Sequence, residues 1–76
     1  MADEILIDCM GMKCPRPIIE LAKAARKAAS GAKVRIRADD LAFESDVRAW
    51  CDATGATLVD LEASGVSIQA VIRLKD

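Results

Sequence analysis

The chain has 76 residues, of which 53% are hydrophobic and only 3% aromatic, and its formal net charge is −1. This length allows one domain, residues 1–76, with a single aliphatic core. A charge this close to zero gives no general attraction to nucleic acid or to an anionic membrane surface. No apolar run approaches the ~20 residues of a membrane span. We therefore expect neither direct nucleic-acid binding nor membrane insertion.

Cysteine and histidine usage narrows the chemistry further. The sequence contains three cysteines and no histidine. A small, odd number of cysteines does not fit a disulfide framework. The acidic first residues do not resemble a signal peptide. We therefore expect a cytoplasmic protein. Because histidine is the commonest metal ligand and general base, its absence leads us to expect no metal and no other cofactor.

The first half of the chain predicts a strand, a helix and a second strand. Residues 4–9 are short and β-branched, which is typical of a strand, and residues 10–13 form a glycine-containing turn. Apolar side chains recur at helical spacing from residue 15 to residue 29, before a Ser-Gly pair that ends the helix. Residues 33–38 alternate strictly between apolar and basic side chains, which predicts a half-buried strand.

The second half predicts a helix and a hairpin. Asp39 and Asp40 are candidate N-caps for a helix whose apolar stripe runs from residue 43 to residue 54. Residues 56–62 and 66–74 are predicted as two strands joined by a tight turn. We expect Val66, Ile68, Ala70, Ile72 and Leu74 to share one face of the last strand.

The element order βαβαββ implies an α+β two-layer sandwich, in which two helices cover one face of a four-stranded mixed sheet. A right-handed crossover through the first helix should make the first two strands parallel. The other sheet face is expected to meet water or a partner. The residues predicted on it are Leu6, Leu58 and Val71 among Lys33, Arg35, Arg37, Asp60, Gln69 and Arg73.

The residue most suited to chemistry is Cys14, in the run Cys14-Pro15-Arg16-Pro17. We expect Cys14 to be the N-cap of the first helix and Pro15 its first residue, where proline is well tolerated. A helix N-terminus favours a thiolate, so the pKa of this thiol should be moderately lowered. Because both prolines lack an N–H, the Arg16 N–H is the expected partner of the Cys14 sulfur. Gly11 supplies unusual backbone geometry to the preceding turn.

From the residues alone, other interpretations stay open. Cys14 would be a small apolar helix cap if the chain were a non-catalytic interaction or regulatory module. Cys51 lies on the apolar stripe beside Trp50 and is predicted to pack in the core. Cys9 is predicted to face the core as well, yet it precedes Cys14 by only five residues. A thiol redox switch between Cys9 and Cys14 is therefore a further hypothesis.

The pattern Asp8-x-x-Gly11-x-x-Cys14-Pro15-x-Pro17 resembles the signature of the TusA/SirA-like sulfur-carrier family. The resemblance extends over nearly the whole chain, through Ala38-Asp39-Asp40 and the spacing Asp46…Trp50-Cys51…Gly55. Leu41 departs from it, because the family often has proline there. The resemblance implies a sulfurtransferase-type carrier that acts with partner proteins and forms a persulfide on Cys14, with Pro15 and Pro17 shaping the site.

The family resemblance also implies partners. A cysteine desulfurase or rhodanese would donate sulfur, and an acceptor protein would receive it in a relay. Lys13, Arg16 and Lys23 are the expected contacts with an acidic patch on such a partner. The resemblance leaves the pathway open among transfer-RNA thiolation, sulfur-compound oxidation, molybdenum-cofactor or selenium metabolism, and thiosulfate uptake.

Overall fold

The computed structural model describes residues 4–13 and 15–75. Within these ranges the elements follow the order βαβαββ, which confirms the predicted α+β class. Their bounds are β1 (Glu4–Cys9), α1 (Arg16–Lys27), β2 (Lys33–Ala38), α2 (Phe43–Thr54), β3 (Thr57–Ser64) and β4 (Ser67–Arg73). Each helix has 12 residues, and no helix in the described ranges is long and apolar enough to cross a bilayer.

The four strands form one mixed sheet in the order β1-β2-β4-β3. β1 runs parallel to β2, as a crossover through α1 requires, whereas β4 is antiparallel to both β2 and β3. Both helices pack on the same sheet face and bury one aliphatic core. The buried core residues are Cys9, Leu21, Val34, Ile36, Ala38, Phe43, Val47, Cys51, Ile68, Ala70, Ile72 and Leu74.

A register shift in β3 moves Leu58 to the opposite face from the one predicted. The shift lies between Leu58 and Asp60, so that Leu58 is opposite Ile72 and Asp60 is opposite Val71. Val59 is the extra residue of this irregularity, and one extra residue reverses which side chains face the core. Leu58 packs against the core, and its predicted place on the open face was wrong.

The turn of the β3–β4 hairpin lies later than predicted, because β3 ends two residues later and β4 begins one residue later. Ser64 pairs with Ser67, which leaves Gly65 and Val66 as a two-residue turn. Gly65 has a φ of 60°, a value that suits glycine at the first position of a type II′ hairpin. Val66 was predicted to join the core face of the last strand, but it lies at this turn and is 78% exposed.

Helix α1 is shorter at its C-terminal end than predicted. It ends at Lys27, and Ala28 is already extended, with φ −84° and ψ 156°. Gly31 does not cap this helix. It has a φ of 76° and lies in the following turn, where the Ala32 N–H donates to the Ala29 carbonyl at 3.1 Å. The glycine therefore serves the turn into β2 rather than the helix end.

The open sheet face carries basic side chains on its central strands and acidic ones on its edge strands. The Arg35 guanidinium on β2 pairs with Glu4 on β1 at 2.8 Å. Two apolar residues predicted on this face differ in exposure, since Leu6 on β1 is 74% exposed and Val71 on β4 only 8%. Because acidic edge strands flank the two basic central strands, this face carries charges of both signs and is not a continuous basic surface. The charged residues are Glu4, Asp8, Lys33, Arg35, Arg37, Asp60, Glu62 and Arg73.

Candidate functional site

The parallel pairing of β1 and β2 brings two loops together at one edge of the sheet. The last register pair is Cys9 opposite Ala38, so the chain leaves both strands at the same end. The β1–α1 loop contains the Gly11 and Lys13 predicted for the site, and the β2–α2 loop contains Asp39 and Asp40. Edges formed by the carboxyl ends of parallel strands are common places for functional loops.

The β1–α1 loop begins with a tight turn. The Met12 N–H donates to the Cys9 carbonyl at 3.1 Å, and Gly11 has a φ of 83°. Glycine at the third position of such a turn avoids the strain that a side chain would bring. The Met10 N–H donates to Asp8 Oδ1 at 3.1 Å. The unusual backbone geometry predicted for Gly11 is confirmed.

Asp39 has a role that the sequence did not reveal. Its Oδ1 accepts a hydrogen bond from the Gly11 N–H at 3.0 Å, across 28 positions of the chain. Asp40 Oδ1 instead accepts the Ala42 N–H at 3.0 Å. Ala42 is the N-cap of α2, and no side chain caps that helix. The prediction that Asp39 or Asp40 is the N-cap was therefore wrong, because the helix begins later than the pair.

The start of α1 also differs from the prediction. The N-cap is Pro15, with φ −98° and ψ 17°, and Arg16 is the first helical residue. The Pro15 carbonyl accepts the Ile19 N–H at 3.1 Å, the first bond of the helix ladder. Cys14, the predicted N-cap, lies outside the described residues. Pro15, predicted as the first helical residue, occupies the N-cap position instead, so that placement was wrong.

The Arg16 N–H donates to the Lys13 carbonyl at 2.9 Å. Its predicted partner, the Cys14 sulfur, lies outside the described residues. Pro17 is fully buried, so the second proline holds the first turn of α1 in the protein interior. Pro15, in contrast, is exposed. The two prolines thus shape the helix start differently, one at the surface and one in the interior.

The basic residues predicted as partner contacts are exposed. Lys13 and Arg16 lie at the surface on either side of the Cys14 position. Lys23 is exposed on α1 and pairs with Glu20 at 3.6 Å, one helical turn away. An exposed pair of this kind contributes little to stability. The structure therefore leaves all three cations accessible to a partner.

Two depressions flank the segment that contains Cys14, one on each side along the chain. The first depression lies between the β1–α1 and β2–α2 loops, and Lys13 is part of its lining. The second is a groove between α1 and α2, and Pro15 is part of its lining. Leu41, which the sequence singled out only as a departure from the family pattern, is 92% exposed at the first. The first is lined by Gly11, Met12, Lys13, Asp39, Asp40 and Leu41, and the second by Pro15, Ile18, Asp46, Ala49 and Trp50.

The other two cysteines are buried free thiols. Cys9 is 0% and Cys51 5% exposed, which confirms that both pack in the core. Burial raises the pKa of Cys9, helped by Glu20 and Asp8 and opposed by Arg16. Burial also raises the pKa of Cys51, with a further contribution from Asp52. Both thiols are therefore protonated at neutral pH, which argues against Cys9 as a resolving thiol.

We expect these two thiols to react slowly with iodoacetamide in the native protein. A thiol with a raised pKa has little thiolate at neutral pH, and a buried one must wait for an opening of the fold. Peptide-resolved mass spectrometry at pH ~7.5 should find each alkylated about a hundredfold or more slowly than in denaturant. Equal rates in the two conditions would contradict the buried placement of these cysteines.

The fold and the two loops define a small α+β domain that carries a Cys-Pro-x-Pro sequence at a loop-to-helix junction. The described residues contain no cluster of three or more potential metal ligands. Residues 5–74 match the model of the family described as Sulfurtransferase TusA. The chain therefore belongs to the TusA sulfurtransferase family, in agreement with the resemblance found in the sequence.

Similar proteins agree with this membership. Two relatives share the name "putative sulfur carrier protein". The one from Bacillus subtilis, YrkF, is 30% identical over 73 residues, which are 96% of this chain and 40% of that protein. The one from Archaeoglobus fulgidus is 38% identical over 56 residues, 74% of this chain and 73% of the relative. This chain thus spans less than half the length of the Bacillus protein.

A solved structure supports the fold. The SirA-like protein from Desulfitobacterium hafniense superposes with a TM-score of 0.82 at 25% sequence identity. The alignment covers 95% of this chain and 99% of that one. The two-layer sandwich is therefore a known architecture of SirA-like proteins.

Proposed function

We propose that this protein is a sulfur carrier that holds sulfane sulfur as a persulfide on Cys14 and passes it to an acceptor protein. The observation that carries the proposal is the family match over residues 5–74, which includes the whole Cys-Pro-x-Pro sequence. The names of the two relatives support the same role. Under this proposal the protein works in the cytoplasm, with partners rather than alone.

The proposed transfer conserves atoms and electrons. The Cys14 thiolate attacks the terminal sulfur of a donor persulfide, R–S–S⁻. A new S–S bond forms at Cys14 while the donor S–S bond breaks, and the donor leaves as its thiolate, R–S⁻. The second transfer repeats this exchange with the acceptor thiolate as nucleophile. No external oxidant or reductant is needed, because the sulfane sulfur keeps its oxidation state throughout.

The surroundings of the Cys14 position suit such an exchange better than catalysis by this chain alone. The sequence has no histidine, so no imidazole base can act beside the thiol. Lys13 and Arg16 are exposed cations next to it and would favour an anionic sulfur, although exposed charges are worth less than about 1 kcal/mol each. A carrier needs a reactive thiol that a partner can reach, and this arrangement provides cations without a hydrolytic base.

We further propose that Lys13, Arg16 and Lys23 form the docking surface for an acidic patch on the donor or acceptor. Arg16 and Lys23 lie on α1, and Lys13 lies directly before the motif. A cysteine desulfurase or a rhodanese is the proposed donor class. Binding of a partner through these exposed charges should weaken as the salt concentration is raised. Binding through the apolar groove beside Trp50 should depend much less on salt, so salt dependence distinguishes the two docking modes.

The test of the function is direct observation of the persulfide. The protein is incubated with cysteine and a cysteine desulfurase, or with thiosulfate and a rhodanese, and its intact mass is measured without reductant. We expect a gain of one sulfur atom, placed on the Cys14 peptide by tandem mass spectrometry and removed by dithiothreitol. No gain with either donor class would contradict the proposal and favour the non-catalytic interaction module.

A further inference from the structure

We propose that Asp39 is a positioning residue for the sulfur-carrying loop, acting through its hydrogen bond to the Gly11 N–H. This inference rests on the proposed role of Cys14, and it adds a residue outside the Cys-Pro-x-Pro sequence to the transfer machinery. Asp39 is not expected to exchange sulfur or protons itself. Its carboxylate fixes the turn from which the chain continues through Lys13 to Cys14.

The geometry supports a connection between two loops rather than a local cap. Asp39 directly follows β2, and its partner Gly11 lies 28 positions earlier, just after β1. The parallel register places the ends of those strands side by side, with Cys9 opposite Ala38. Asp39 is half-buried, and the bond lies at the protein surface, between the two loops. A carboxylate accepting a backbone N–H makes one of the stronger classes of hydrogen bond.

The hydrogen bond to Asp39 restrains Gly11, the residue whose positive φ sets the direction of the β1–α1 loop. Gly11 has a φ of 83°, and flexible glycine has many other conformations to occupy when nothing restrains it. The Met12 N–H bond to the Cys9 carbonyl restrains one side of this turn. Asp39 restrains it from the other loop. Losing that restraint would let the β1–α1 loop move relative to β2 while leaving the core intact.

The bond also joins the two sides of one depression. Gly11, Met12 and Lys13 line it from the β1–α1 loop, and Asp39, Asp40 and Leu41 line it from the β2–α2 loop. The exposed Leu41 follows Asp39 by two residues, so the bond joins the β1–α1 loop to the loop that carries this apolar side chain. A partner that docks here therefore meets two loops in one fixed arrangement.

The experiment compares Asp39→Ala with Asp39→Asn. Alanine removes the acceptor, whereas asparagine keeps an oxygen acceptor and removes only the charge. We expect kcat/KM for sulfur loading of Cys14 by the desulfurase to fall about tenfold in Asp39→Ala, since small misplacements of reacting groups have effects of this size or larger. Asp39→Asn should stay within about threefold of the unmodified protein, because a neutral bond of the same geometry is weaker but present.

A second readout does not depend on sulfur transfer. The rate of Cys14 alkylation by iodoacetamide is measured against pH in each variant, together with amide hydrogen exchange at Gly11. We expect faster Gly11 exchange in Asp39→Ala only. The midpoint of the alkylation profile should be the same in Asp39→Ala and Asp39→Asn, since both lack the charge. Asp60→Ala, which removes a carboxylate from the open sheet face, is the matched control and should behave as the unmodified protein.

The outcomes separate the two proposals. If the unmodified protein accepts no sulfur, the carrier function fails, and the exchange of Gly11 still tests the restraint by Asp39. If loading succeeds but Asp39→Ala loads at the normal rate, the positioning role is wrong. An equal fall in the loading rate of Asp39→Asn would also overturn the positioning role, because the rate would then depend on the negative charge and not on the hydrogen bond. All rates are measured well below the melting temperature of each variant, so that a purely structural loss of stability does not imitate the result.

Discussion

Replacing Cys14 with serine should abolish sulfur loading, with a fall of at least about a thousandfold in rate. Serine keeps the size of the side chain and a hydrogen-bonding group, but it has no sulfur with which to form an S–S bond. Its hydroxyl is also a far weaker nucleophile at neutral pH than a thiol. The expected result is an intact mass that stays unchanged after incubation with donor and cysteine, under conditions that load the unmodified protein.

The matched variant retains Cys14 as the only thiol. Cys9→Ala and Cys51→Ala together remove the two buried thiols, each at a modest loss of core packing, and this variant should load as much sulfur as the unmodified protein. Thermal unfolding followed by circular dichroism checks that it is folded. If loading required Cys9, the disulfide-switch hypothesis would regain support. If sulfur appeared on the Cys14→Ser variant, another nucleophile would carry it.

The elements themselves could be predicted from sequence because their patterns are local. The alternation in residues 33–38 reflects a strand with one buried face, and β2 has those bounds. The helical spacing after Pro15 likewise reflects the buried stripe of α1. The predictions that were wrong concern the ends of helices and strands and the irregularity within β3. The extra residue Val59 reverses the alternation of β3, and no residue in that segment is of a type that announces a bulge.

The site was less predictable than the fold because its contacts join distant residues. Gly11 was identified correctly, since a positive φ selects glycine at a single position. The bond between Asp39 and Gly11 depends on the parallel pairing of β1 and β2, and Asp39 has an ordinary local use as a helix cap. The start of α1 was predicted one residue early, because proline is common at the first helical position and Pro15 is instead the N-cap.

The open face shows how a basic pattern along one strand can mislead. Lys33, Arg35 and Arg37 form a row when β2 is considered alone. In the sheet, β1 places Glu4 and Asp8 beside this row. A surface with charges of both signs lacks the uniform positive potential that attracts nucleic acid. The partner-docking charges proposed above, Lys13, Arg16 and Lys23, are not part of this face.

Phe43→Ala should be the most destabilising single substitution among the large core residues, and it tests how α2 supports the site. Phe43 is the first residue of α2 and is 1% exposed, the largest of the fully buried side chains. Truncating a buried phenylalanine lowers the free energy of unfolding by about 3–5 kcal/mol. A domain of this length has roughly 4–11 kcal/mol in total. Urea denaturation should therefore show a midpoint far below that of the unmodified protein, because the loss is between about a quarter and all of this free energy.

Two further substitutions make this prediction specific. Leu6→Ala removes a side chain of similar character from a position that is 74% exposed, and it should change the free energy of unfolding by about 0.5 kcal/mol or less. Phe43→Leu keeps most of the buried volume and should remain folded. Because the Phe43 N–H donates to the Asp40 carbonyl at 3.0 Å, packing of this ring also holds the loop that carries Asp39. Because leucine fills most of the same space, Phe43→Leu should load sulfur at the normal rate. A folded Phe43→Leu variant that loads slowly would contradict this expectation. It would show that the phenylalanine ring itself is needed to place the loop that carries Asp39.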